Sequence, residues 1–259
     1  MGQSRYERLP KTQNWQSVIA LLASPQTSVA NIALETTRAC QSALRRHSSD
    51  PILVSAIYLI VRLPLAARKG KATVFLHDTG LETEALASPI SLSDALVSFL
   101  QQQNFGNLDP SFVGEISLIT FQETFSKLIA ESNLDLFADA PGQTENALAS
   151  YGTPRGFAIA ARFFFASFMH RALSYFLSKE TVNAVGLKER FASLDSLQQF
   201  MGDLRRYCWE SSKIIDSFAE EWYSKYKWQE KLDESHVASF VWAAIKKFSA
   251  EIGREHQSV

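Results

Sequence analysis

Along most of this chain, apolar residues recur every three or four positions, the spacing of amphipathic helices. One stretch breaks the rule by being apolar nearly all round. From Phe157 to Leu177 it reads Phe-Ala-Ile-Ala-Ala-Arg-Phe-Phe-Phe-Ala-Ser-Phe-Met-His-Arg-Ala-Leu-Ser-Tyr-Phe-Leu. Wound at about 100° per residue, Phe157, Ala161, Phe164, Phe165, Phe168, Ala172, Tyr175 and Phe176 share one broad face. Ile159, Met169, Leu173 and Leu177 cover much of the other. Pro154 suits the start of this helix. The run is long enough to span a bilayer, yet it contains Arg162, His170 and Arg171. A charge near a bilayer centre costs roughly 3 kcal/mol or more. The pattern therefore predicts a central core helix in water, with Arg162 partly buried as a structural ion pair with a carboxylate.

A polar start, Met1 to Lys11, precedes a short helix from about Asn14 to Ala23. Thr27 or Ser28 caps the next, to about Arg46. Asp50-Pro51 signals a cap and first turn, and the helix Ile52–Val61 should end or kink at Pro64. Ala72–Leu76 reads as a short strand or a helical turn, and His77–Ser88 as loop. Ser91 or Ser93 caps a helix through Leu100, which stops across Gln101–Asn104 and Gly106. Asp109-Pro110 opens another, to about Ser132. Asp139 to Gly156 is the clearest loop. Ser193 caps one very long helix, Leu194 to Trp228, with Gly202 as a weak point. The last, Glu234 to Ile252, turns Val237, Phe240, Val241, Ala244, Ile245 and Phe248 inward, and Lys246 and Ser249 outward. The fold expected is all-α: a single large helical bundle-like domain around the Phe-rich helix. It has at most one very short strand or hairpin near residues 72–76, and its one place for a subdomain division is the loop 139–156.

Composition narrows the function classes. Hydrophobic residues make up 46%, enough for a core across 259 residues. Net charge is −1, so no global field draws the chain to nucleic acid or anionic lipid, although a local patch can. Cys40 and Cys208 both fall in helical patterns and suggest no disulfide framework. The opening Met-Gly-Gln-Ser-Arg-Tyr has no apolar signal segment and no serine or threonine at position six for myristoylation. A cytoplasmic protein is expected.

Motifs for chemistry are sparse. Gly70-Lys71-Ala72-Thr73 lacks the first glycine of a phosphate-binding loop. The sequence contains no Gly-x-Gly-x-x-Gly, His-Glu-x-x-His, Cys-x-x-Cys or Gly-x-Ser-x-Gly. His170 reads as a core histidine. His77-Asp78, in Val-Phe-Leu-His-Asp-Thr-Gly, resembles the His-Asp element of the HD metal-dependent phosphohydrolases, which are also all-helical. That resemblance implies an earlier histidine, here His47, and a later aspartate, holding a metal that activates water. Asp94, Asp109 and Asp135 are available for the last place, and none stands out. Arg-Phe-Phe-Phe-Ala-Ser-Phe and Glu-Trp-Tyr-Ser-Lys resemble segments of helical proteins encoded near bacterial defence genes.

The large aromatics say more about surfaces. Trp222 lies on the apolar stripe of the long helix, while Trp209, Trp228 and Trp242 lie off the stripes of theirs. Off-stripe tryptophans suit interface anchors, because a rigid ring loses little entropy on docking. In Trp222-Tyr223-Ser224-Lys225-Tyr226-Lys227-Trp228, basic and aromatic residues alternate, as a single-strand nucleic-acid surface needs; Glu220 and Glu221 oppose it. Arg62, Arg68, Lys69 and Lys71 form a second basic cluster. The sequence thus favours a non-catalytic helical subunit or adaptor of a larger cytoplasmic assembly. Protein partners are expected, with no membrane, cofactor or metal. The alternatives are the HD-like hydrolase through His47, His77 and Asp78, and a nucleic-acid-binding accessory protein weakened by substitution of Lys69 or Lys227.

Overall fold

The computed structural model describes residues 13–102, 111–131, 142–186 and 189–254. The polar start, the Asp109-Pro110 signal, Asp135 and Asp139 to Pro141 lie outside them, as do Asn104 and Gly106. The described residues form α1 (Gln13–Ala23), α2 (Val29–Arg46), α3 (Pro51–Arg68), α4 (Ala72–Asp78), α5 (Pro89–Gln102), α6 (Phe112–Glu131), α7 (Gln143–Tyr151), α8 (Pro154–Thr181), α9 (Leu194–Ser211), α10 (Lys213–Trp228) and α11 (Glu234–Arg254). Short 3-10 turns cover Thr83–Ala87 and Val182–Ala184. There is no strand among the described residues, and a single bridge joins Val185 to Phe191. The fold is all-α.

Helix α8 is the axis of the bundle. It touches α1, α2, α3, α6, α7, α9 and α10. Phe157, Phe164, Phe165, Phe168 and Phe176 have no exposed surface, and neither do Met169, Leu173 and Leu177 on the other side. An all-round apolar helix needs neighbours all round, and these helices supply them. The buried apolar residues before and after segment 139–156 belong to one contiguous cluster. Helix α3 is long and apolar enough by composition to cross a bilayer, yet it lies against α6, α7, α8 and α11, which cover its apolar surface.

Caps fix several helix starts. Ser28 accepts from the Asn31 N–H at 3.2 Å, and Asp50 accepts from those of Ile52 and Leu53 at 2.9 and 3.2 Å. The other Asp50 oxygen accepts the Ser111 hydroxyl at 2.6 Å, so the start of α3 is tied to the start of α6. Ser193 and Ser196 form a reciprocal capping box.

Of the two readings of residues 72–76 the helical one holds, since Ala72–Asp78 is helical. Other expectations are corrected: His77-Asp78 ends that helix rather than lying in a loop. Helix α3 continues through Pro64 to Arg68, held by its burial among neighbours. The cap of α5 is Ser88, which accepts from the Ser91 N–H at 3.2 Å, not Ser91 or Ser93. Part of the expected 139–156 loop is α7, which packs against α3 and α8. On α11, Ser249 is buried, not outward.

The expected Leu194–Trp228 helix is divided at Ser212, and Arg162 explains how the division is held. The Ser212 hydroxyl donates to the Trp209 carbonyl at 2.6 Å, a local bond that competes with regular helix. Arg162 of α8 then reaches across the break. It donates to Ser212 Oγ at 3.1 Å, to the Trp209 carbonyl at 3.4 Å and to Asp216 at 2.8 Å. Its guanidinium also lies 4.2 Å from the centre of the Trp209 ring.

Candidate functional site

At one end of the bundle the structure joins basic residues that lie far apart in sequence. Helix α3 ends in Arg68, and the turn into α4 carries Lys69 and Lys71. Helix α10 ends in Lys227 and Trp228. Arg62 ties the two regions, donating to the Leu232 carbonyl at 3.4 Å beyond the end of α10. Burial, then the nearby charges of Arg68 and Lys69, hold the Lys227 ammonium below the usual lysine range. The Lys227 amine lies 5.6 Å from the centre of the Tyr223 ring. Burial pushes the Tyr223 hydroxyl up to about 12, against the pull of Arg68 and Arg62.

Beside this cluster, Arg62, Lys69, Lys71, Val74, Phe75 and Asp78 line a shallow depression of about 210 Å³. Val74 is 55% exposed, and Trp228, next to Lys227, is 85% exposed. Among the described residues, none of Arg62, Arg68, Lys69, Lys71, Lys225 and Lys227 forms an ion pair with a carboxylate, whereas Arg38, Arg171, Arg205, Arg206 and Lys213 each do. The face therefore holds positive charge that the fold does not neutralise, beside an open indole ring.

Not every expected anchor joins it. Lys225 lies 5.0 Å from the centre of the Tyr226 ring and lines the groove between α10 and α11, with Glu221 and Trp222. Trp209 is half-buried and packs on Phe163, centroids 4.8 Å apart. Trp242 is 47% exposed on α11, with the Lys246 amine 5.0 Å from its ring centre.

The residues of the HD-like reading are not brought together. His47 closes α2, with its ring edge-on to Phe112 at 5.4 Å. His77 and Asp78, exposed at 85% and 71%, lie 3.8 Å apart at the end of α4. His47 closes the helix before α3, and His77 lies on the helix after it, whose Phe75 packs on Tyr58 of α3 with ring centres 6.3 Å apart. Among the described residues no three His, Cys, Asp or Glu side chains are grouped to hold a metal ion. The two thiols are also placed as core groups: burial pushes Cys40 and Cys208 up to about 12, away from the thiolate that reactive chemistry requires. No protein-family model matches this chain, and no curated protein or solved structure is significantly similar to it.

Proposed function

We propose that this protein is a non-catalytic accessory subunit of a larger cytoplasmic assembly, and that its α3–α10 face holds single-stranded nucleic acid. One observation carries the reading: Arg68 and Lys69, remote in sequence from Lys227, lie close enough to act on its charge, no carboxylate among the described residues pairs with any of the three, and Trp228, the residue after Lys227, is exposed. Lysine and arginine neutralise backbone phosphates, and an exposed indole stacks on any base. Asp78 is the single carboxylate lining the adjoining depression among the described residues. Glu220, which opposes the reading in sequence, is engaged with Arg155 at 4.0 Å, and Glu221 lines the α10–α11 groove with Lys225. Trp242, on its own helix, is the anchor this reading gives to a protein neighbour.

The test is equilibrium binding of a labelled single-stranded oligonucleotide. Lys69→Glu/Lys227→Glu is expected to weaken binding at least tenfold. It should also flatten the dependence of log affinity on log salt by about 1.4, at roughly 0.7 for each phosphate no longer neutralised. Lys225→Glu/Lys246→Glu, with the same change in net charge on other surfaces, should stay within about twofold of the parent protein. Equal weakening in the two double variants would reduce the effect to net charge and remove the assignment of the face.

A further inference from the structure

A second cleft, of about 370 Å³, opens between α6, α8 and α9. Its volume falls in the range of clefts that take small ligands, roughly 300–1,000 Å³. The floor is aromatic: Phe163 and Trp209 meet at 34° with centroids 4.8 Å apart. The rim is cationic, with Lys127 from α6 and Arg205 and Arg206 from α9.

Glu123 is the one carboxylate lining the cleft among the described residues, and it is already engaged. It accepts the Ser167 hydroxyl, Arg171 at 2.9 Å and Arg205 at 2.7 Å. Burial opposes its charged form, but the Ser167 hydroxyl and then the two arginines outweigh that and hold the carboxyl below its ordinary range. Arg206 bonds Asp203 on its own helix at 2.6 Å, an exposed pair that constrains it little. Lys127 forms no ion pair among the described residues; its amine rests 3.6 Å from the centre of the Phe163 ring and 5.7 Å from that of Trp209.

Two features here are not called for by the helix they belong to. Thr124 lines the cleft and is 2% exposed, and its hydroxyl has no partner among the described residues. A buried hydroxyl left so costs about 1–3 kcal/mol. Gly202 stands mid-helix in α9, where glycine costs about 1 kcal/mol relative to alanine. A Cβ added there meets nothing within 4 Å, so no close approach calls for glycine.

We propose that this cleft binds a small phosphate monoester carrying a planar ring, of the nucleoside monophosphate class. Lys127 leaves Phe163 and, with Arg206, takes the phosphate. The ring lies on the Phe163–Trp209 floor. Three cations against one carboxylate leave two positive charges on the lining, which suits a phosphate monoester of about −1.5 to −2 charge better than a singly charged carboxylate. Gly202 keeps the entrance open. This site is separate from the α3–α10 face and does not rest on the function proposed for it.

Calorimetric titration of the full chain with adenosine and uridine monophosphates tests it. The expected result is saturable binding at one site, at least tenfold tighter than ribose 5-phosphate or inorganic phosphate. Gly202→Leu puts a side chain at the entrance whose Cβ meets nothing within 4 Å, so it should keep or raise the melting temperature and abolish binding. Lys127→Gln should weaken binding about tenfold. Lys69→Glu/Lys227→Glu, which strips the other face, should leave the nucleotide affinity unchanged. No saturable binding of either nucleotide up to millimolar concentration would overturn the proposal. So would affinity shared equally with ribose 5-phosphate, affinity that survives Gly202→Leu in the folded protein, or affinity abolished in Lys69→Glu/Lys227→Glu.

Discussion

Gly152→Ala is expected to destabilise the fold by about 3 kcal/mol or more, near the upper range for overpacking, and to lower the melting temperature by roughly 6–12 °C. Gly152 lies in the turn between α7 and α8, where the backbone comes against α3. A methyl group there would overlap the Pro64 carbonyl and sit 3.0 Å from Arg68 Cβ. Neither neighbour is the free end of a side chain, so relief requires moving helices. The contrast is Gly202→Ala, where the added carbon meets nothing and helix propensity alone should stabilise by up to about 1 kcal/mol. Thermal unfolding of the two variants side by side checks both signs. A Gly152→Ala protein as stable as the parent would show that α7 does not press on α3 as described.

Arg162→Met should cost about 3 kcal/mol, at the low end for breaking a buried pair because both side chains keep some exposure, 17% and 21%. Methionine replaces the aliphatic volume but leaves Asp216 unpaired, and it removes the bonds that hold the Ser212 break. The double variant Arg162→Met/Asp216→Leu, which removes both charges, should recover most of the stability. Denaturant unfolding of both variants measures it. A double variant no better than the single one would show that the bonds to Ser212 and Trp209, rather than the ion pair, carry the cost.

What the sequence made legible follows from how local each signal is. The Phe-rich axis, the Asp50-Pro51 start and the Ser193 cap depend on residues within one or two turns, and periodicity or cap chemistry reports them directly. The break at Ser212 was hidden because the apolar stripe runs on through it, from Cys208 to Ile215. It is fixed instead by an arginine 50 residues earlier in the chain. Pro64 misled in the opposite sense, since a local helix-breaker is overridden where both sides of the helix are packed. Tertiary clamps leave no local trace at all: Arg190 closes the α1–α2 turn by donating to the Ser24 and Thr27 carbonyls.

The candidate surfaces divide in the same way. Basic and aromatic residues near Lys69 and near Lys227 were visible as two separate runs, but only the fold could set them side by side. The α6–α8–α9 cleft had one sequence signal, the unexplained Gly202. Lys127 of α6, Phe163 of α8 and Trp209 of α9 come from three helices and share no motif. The His-Asp resemblance rests on a two-residue motif, which says nothing of where His47 lies; among the described residues His47, His77 and Asp78 are not grouped to hold a metal ion.

The functional account rests on where a nucleic-acid strand lies, and ultraviolet cross-linking of the full chain to a single-stranded oligothymidine, with the attachment peptide mapped by mass spectrometry, reads that position. Attachment at Trp228, suppressed by Lys69→Glu/Lys227→Glu, is the predicted result. No cross-link above that of an unrelated protein, or attachment centred on Trp242 or the α6–α8–α9 cleft instead, would contradict the assignment of the α3–α10 face.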